Sequence, residues 1–303
     1  MWFRNLQIYR LPGQGLPQLE RFDDALSRKA FQGCGGLERQ SLGWLPPREG
    51  GLLVHTVERH GLLALGVEQK LLPAAVVNQT AAERAREIER QQGFTLGRKA
   101  LRELKEQIAD ELLPRAFAQR RTIWVWLDPD AGWLGIDAAS PNRAEMVVEL
   151  LGKCLDDFYP QRLQCARSPQ AAMTDWLLAG EAPAGFSIDR DCELRAIAEE
   201  RSSVRYTRHA LDGEAIETEI RAHLAAGKLP VRLAMTWNDR ISFVLTEKLE
   251  LKRLAFLDLL KESLGKQEDA DAEFDAGFAL MAGELARMLA DLTDALGGAE
   301  PQE

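Results

Sequence analysis

The sequence predicts an α+β protein of two related halves, and three observations carry that reading. Short apolar stretches of five or six residues recur between turn residues, as in TIWVWL at 122–127 and in segments 52–57, 62–67 and 133–137, the pattern of strands. Residues 73–113 change character to a long charged helical run. The order hairpin, helix, hairpin, helix then stands on both sides of residue 160, which suggests internal duplication with pseudo-twofold symmetry. The halves are 1–160 and 161–303, and neither is expected to fold alone. No short-period solenoid repeat is present.

Taken in order, MWFRNLQIYRL alternates apolar and polar residues and contains Arg4 and Arg10, so it reads as a strand over 5–11 and not a signal peptide. Leu16 to Phe31 is an amphipathic helix with Leu19, Phe22, Leu26 and Ala30 on one face. Gly33-Cys34-Gly35-Gly36 breaks it and lacks the spacing of a phosphate loop. Trp44-Leu45-Pro46-Pro47 is a rigid loop into two strands that turn around His60-Gly61.

A projecting helical hairpin spans about 75–117, with its turn near Gly93 to Gly97. Leu101, Leu104, Ile108 and Leu112 form its apolar stripe, while Arg98, Arg102 and Lys105, beside Lys99, form a basic one. Pro114 ends the helix because it has no N–H to donate. Arg115, Phe117, Arg120 and Arg121 therefore fall at a helix-to-strand junction, with Phe117 either tucked into the core or presented at a contact surface.

After the turn Asp128-Pro129-Asp130-Ala131-Gly132, Ser140-Pro141 caps a helix. The second half reads as helix 170–179, a finger hairpin over about 191–209, helix 213–226, hairpin 229–246 and a helical base over about 266–298. In that base Phe278, Met281, Leu285 and Met288 lie on a broad apolar face that must be buried, against its own body or a twin.

A chain of 303 residues can bury a large core, and with no apolar run near the roughly 18 residues of a span it is expected to be soluble. The four cysteines form no CxxC pair, so we expect reduced thiols of a cytoplasmic protein. His55 and His60 have a spacing that puts them on opposite strand faces, which gives little support to a shared metal. A net charge of −9 argues against nucleic acid until its distribution is read. Residues 266–303 hold ten acids and two bases, whereas residues 83–121 hold ten bases and seven acids. A basic face on an acidic protein is therefore expected.

No GxSxG, HExxH or Walker motif is present, so neither an enzyme nor a cofactor is expected. Two alternatives remain: a metal-dependent nuclease using Asp128, Asp130 and Asp137, and a protein-binding adaptor working through the C-terminal helix. The favoured reading is electrostatic. Bases at 98–105 and 115–121, with Arg201, Arg205, Arg208 and His209, would line one concave surface and contact phosphates. No helix rich in base-reading side chains appears, so little sequence preference is expected. Trp124 and Trp126 share a strand face suited to the core or to stacking on single-stranded bases.

Four blocks in order, MWFRNLQIYRL at the start, GWLPP at 43–47, LLPRAF at 112–117 and FDAGFALMAGELA at 274–286, resemble the RdgC family of recombination-associated DNA-binding proteins. The resemblance runs over essentially the whole chain. It implies a ring-shaped homodimer that encircles duplex DNA in the nucleoid and limits RecA-promoted strand exchange, with single strands open as a second ligand. It also implies that Phe117 closes a tip-to-tip dimer contact, that Arg208 and His209 ride a finger near the DNA, and that the C-terminal helix forms the second dimer contact.

Overall fold

In the computed structural model, residues 2–11, 19–196, 202–211, 213–262 and 269–300 are described. The first half runs β1 (Asn5–Arg10), α1 (Leu19–Ser27), β2 (Gln40–Leu45), β3 (Val54–Val57), β4 (His60–Leu71), α2 (Ala74–Gln92), α3 (Arg98–Leu112), β5 (Phe117–Asp128), β6 (Trp133–Ile136) and α4 (Pro141–Cys154). There follow β7 (Gln161–Arg162), α5 (Pro169–Ala179), β8 (Phe186–Ala196), β9 (Ser203–Tyr206) and α6 (Glu214–Ala225). The remainder is β10 (Lys228–Trp237), β11 (Ile241–Thr246), β12 (Glu250–Phe256), α7 (Asp258–Glu262) and α8 (Ala270–Ala295).

Among the described residues twelve strands join one sheet in the order β2-β4-β5-β6-β1-β12-β11-β10-β8-β9, with β3 added to β4 and β7 to β1. Adjacent strands run antiparallel, and β1 sits at the middle, bonded to β6 on one side and β12 on the other. The sheet therefore crosses the boundary at residue 160 without a break. The two wings are wired differently: the outer strand β2 precedes its neighbour β4 in the chain, whereas the outer strand β9 follows its neighbour β8.

Alternation along each strand sends side chains to two different apolar layers. In β5, Val125 and Leu127 join Phe22 and Leu26 of α1 and Val147 and Leu151 of α4. Trp126 points the other way and, with Leu6 and Ile8 of β1, joins Met173 and Trp176 of α5 and the apolar face of α8. In the second wing, Cys192, Leu194, Leu233, Met235, Phe243, Leu245 and Leu251 all enter that same α5/α8 layer. The opposite face of the second wing carries Glu193, Arg205, Arg232 and Lys252, following the strand alternation.

Several expectations need correcting. Phe278 is 1% exposed and Met281, Leu285 and Met288 are 0% exposed, all packed on the chain's own sheet. Intrachain packing has taken the apolar face of α8, so these four side chains present no dimer contact and the helix offers no adaptor surface through them. Residues 266–268 of the proposed base, Arg201 and the start of the helix read from Leu16 lie outside the described residues. Ala30, read as helical, instead bridges Trp44 in strand fashion.

The turn between β3 and β4 falls at Glu58-Arg59, with Glu58 at φ 54°, one pair earlier than the His60-Gly61 expectation. Trp44 and Leu45 belong to β2, not to a loop. Gly43 is needed there, since an added Cβ would fall 2.4 Å from the Phe31 Cα. Trp126 is fully buried and donates its indole N–H to His60 Nδ1 at 3.3 Å, which removes it from any stacking surface.

Candidate nucleic-acid interface

α2 and α3 pair through a small core of Ala81, Ala85, Leu104 and Ile108. The rest of their surface is charged, and local pairs claim part of it. Arg84 binds Glu111 at 2.8 Å, Arg102 binds Glu106 at 3.0 Å, and Lys99 lies 3.9 Å from Glu103. Such exposed pairs contribute well under ~1 kcal/mol, so they do not hold the cations back from a stronger anion. Arg98 and Arg115 are exposed with no carboxylate partner among the described residues. A cleft at the root of the pair collects Arg39, Arg102 and Lys105; Arg39 lies just before β2 and was invisible as a site residue from local pattern.

The strand after the helices starts at Phe117, not at 122, because β5 pairs with β4 out to Leu71↔Phe117. Arg120 and Arg121 are thus strand residues on opposite faces. Arg120 is spoken for: it pairs with Glu68, its register partner, at 3.1 Å and stacks 4.4 Å over the Phe31 ring. The Cys34 N–H, with Arg120 behind it, holds the Glu68 carboxyl below its ordinary pKa. Arg121 leans on Gln119 at 2.7 Å and keeps its charge uncompensated by a carboxylate among the described residues. Phe117 is 85% exposed, and its cross-strand partner Leu71 is 50% exposed. The core reading of Phe117 is therefore overturned.

A second basic surface lies on the open face of the second wing. Arg205 sits 3.7 Å from Glu193 across the β8–β9 pair. Arg208 is in the left-handed region at φ 54°, and its N–H donates to Asp191 Oδ1 at 2.8 Å. His209 extends the strand pair by donating its N–H to the Arg190 carbonyl at 3.0 Å, and its ring contacts the Ala210 carbonyl at 2.9 Å.

The three carboxylates of the nuclease alternative do not converge. Asp128 lies opposite Trp133, while Asp137 follows Ile136, which lies opposite Val125. They stand at opposite ends of the β5–β6 ribbon, separated by roughly 13 Å of strand at about 3.4 Å per residue. Asp128 is buried and accepts the Ala131 N–H at 3.1 Å, closing the turn. Asp137 accepts the N–H groups of Asn5 at 2.9 Å and Arg4 at 3.2 Å, and burial pushes its carboxyl upward. Asp130 is exposed in the turn.

No group of three metal-ligating side chains occurs among the described residues. His55 faces Asp275 at 2.8 Å and His60 faces Trp126, so the two share nothing. All four cysteines are free. Burial pushes Cys165 to about 11 and Cys192 to about 12, so neither supplies a thiolate at neutral pH. Among the described residues no helix is long and apolar enough to cross a membrane.

Fold and surface together define an α+β protein on one antiparallel sheet whose exposed chemistry is charge, with the cations of the candidate surfaces supplied mainly by arginine. A family described as "Putative exonuclease, RdgC" matches residues 1–299. A protein of Dechloromonas aromatica named recombination-associated protein RdgC is 57% identical over 299 residues, covering 98% of both chains. Proteins of the same name from Herminiimonas arsenicoxydans and Cupriavidus pinatubonensis are 51% and 53% identical, the first over all of both chains and the second over 98% of this chain and 99% of its own. The chain is thus a recombination-associated protein by class. It belongs to the RdgC family.

Proposed function

We propose that this chain is a non-enzymatic, sequence-nonspecific DNA-binding protein that works as a ring-shaped homodimer around duplex DNA. In this role it limits RecA-promoted strand exchange and so regulates homologous recombination at the nucleoid. The observation that carries the reading is Phe117, an aromatic ring left 85% exposed across from Leu71, with Arg115 two residues before it and Arg121 farther along the same face of the strand. Exposed pairs of large apolar side chains flanked by cations suit a subunit contact at the border of a phosphate-lined surface. Arg98, Lys99, Arg102, Arg115, Arg121, Arg205, Arg208 and His209 are the groups assigned to phosphates. Arg120 is assigned to the Glu68 pair instead, because two hydrogen bonds to that carboxylate and the stack on the Phe31 ring fix its guanidinium in place.

The test is a duplex-binding titration over salt, run on linear and covalently closed circles of equal sequence. With phosphate contacts dominant, log K falls linearly with log salt at a slope of about −0.9 per neutralised phosphate. A ring would stay on closed circles at salt that strips it from short linear duplex with free ends. Salt-insensitive binding, or loss of duplex in Mg²⁺ or Mn²⁺ that Asp128→Ala abolishes, would sink the reading.

A further inference from the structure

The open face of the second wing holds a recess of about 240 Å³ bordered by Arg205, Arg232, Lys252 and Arg253. Its centre is Glu193, whose carboxylate is shared by three guanidiniums: Arg195 at 2.9 Å on its own strand, Arg205 at 3.7 Å on β9 and Arg232 at 3.7 Å on β10. The sheet register produces this arrangement, since Glu193 lies directly between Arg205 and Arg232. Lys252 is anchored on Glu250 at 2.9 Å.

Arg253 should face the opposite side from Lys252 by strand alternation, yet both border the recess. A bulge explains it. Arg253 takes φ 53°, and the β11–β12 register shifts between Ser242 and Val244 at this point. A left-handed backbone is unfavourable for arginine, and at a bulge it commonly re-aims a side chain. Asp191 then fixes two arginines at once, taking the Arg253 guanidinium at 3.3 Å and the Arg208 N–H at 2.8 Å. Five cations thus stand over three carboxylates, with Arg205, Arg232 and Arg253 all more than two-fifths exposed.

We propose that this face, including Arg232 and Arg253, is a phosphate-contacting surface for duplex DNA, and that Glu193 is a built-in counter-charge that weakens its grip. The inference rests on the DNA-binding reading above. Guanidinium forks match phosphate oxygens in pairs. A phosphate entering the recess competes with Glu193 for three arginines, so each contact is worth less than a free arginine would give.

The test uses the full chain in duplex-binding titrations over salt, with thermal melting as a folding check. Glu193→Gln keeps an acceptor for the three arginines and removes the charge. It should tighten low-salt binding roughly three- to fivefold, the effect of one surface charge about 5 Å from a phosphate. The double variant Arg232→Gln/Arg253→Gln should weaken binding and flatten the salt slope by about two. If the unmodified chain binds with a salt-dependent slope but both variants match it, this face is not on the DNA and the proposal is overturned while DNA binding stands. If the unmodified chain binds no duplex, both fall together.

Discussion

One face of the sheet is treated in two ways along its width. Across β4 to β1 it is roofed by α1 and α4, which bury Val125, Leu127, Leu134 and Ile136. Across β12 to β9 the same face has no helix packed on it among the described residues and displays Glu193, Arg205, Arg232 and Lys252. The opposite face carries the α5/α8 layer throughout the second wing. The difference is that between a strand apolar on both sides, such as TIWVWL, and one that alternates, such as DCELR. A single ladder of hydrogen bonds serves as a core in one wing and as a platform in the other.

That contrast can be broken most forcefully at the roof. Leu151→Ala removes a fully buried side chain of α4 and should cost about 3–5 kcal/mol in chemical denaturation. Arg232→Gln on the bare wing should change stability by no more than about 0.5 kcal/mol. Equal losses would mean that the second wing is covered in solution.

The next effect in size concerns Phe117. Phe117→Ala should leave the melting of the separated chain unchanged, because the ring is exposed. It should weaken self-association by about 2–4 kcal/mol, read by sedimentation. Unchanged association would remove Phe117 from the subunit contact.

The smallest effect compares two carboxylates, Glu193 among three arginines and Glu68 with one. Hydrogen bonds from Cys34 and Arg120 lower the folded-state pKa of Glu68, so its contribution to stability is present at neutral pH and is lost as pH falls through that lowered value. Glu68→Gln should therefore melt slightly below the unmodified chain near pH 7, and the two curves should converge in acid. A constant offset at all pH values would assign the difference to packing.

Much of the element order was readable because it rests on local chemistry. Gly93 ends α2 in the left-handed conformation at φ 78°, and Pro114 ends the α3 run. Ser140-Pro141 opens α4 at the expected place, although the Ser140 side chain makes no capping hydrogen bond. What local pattern could not resolve was partnership. The stripe on α8 fitted its own sheet and a twin equally well, and only tertiary packing chose the former. Arg120 and Arg121 looked alike in sequence, yet register gave one to Glu68 and left the other without a carboxylate among the described residues. The Glu193 cluster draws on β8, β9 and β10, so only the alternation in DCELR hinted at it.

The central position of β1 has a consequence during synthesis. One edge can pair with β6 once residue 136 has emerged, and Tyr9 and Arg10 on the other edge can pair with β7 after residue 162, but Asn5 to Gln7 on that second edge wait for β12, whose first residue is Glu250. At about 5–20 residues per second, that gap of roughly 115 residues leaves this segment of strand edge open for something like 6 to 23 seconds on every ribosome. Nascent chains on one message therefore carry matching unpaired segments side by side, a hazard that ends only when β12 emerges and completes the sheet.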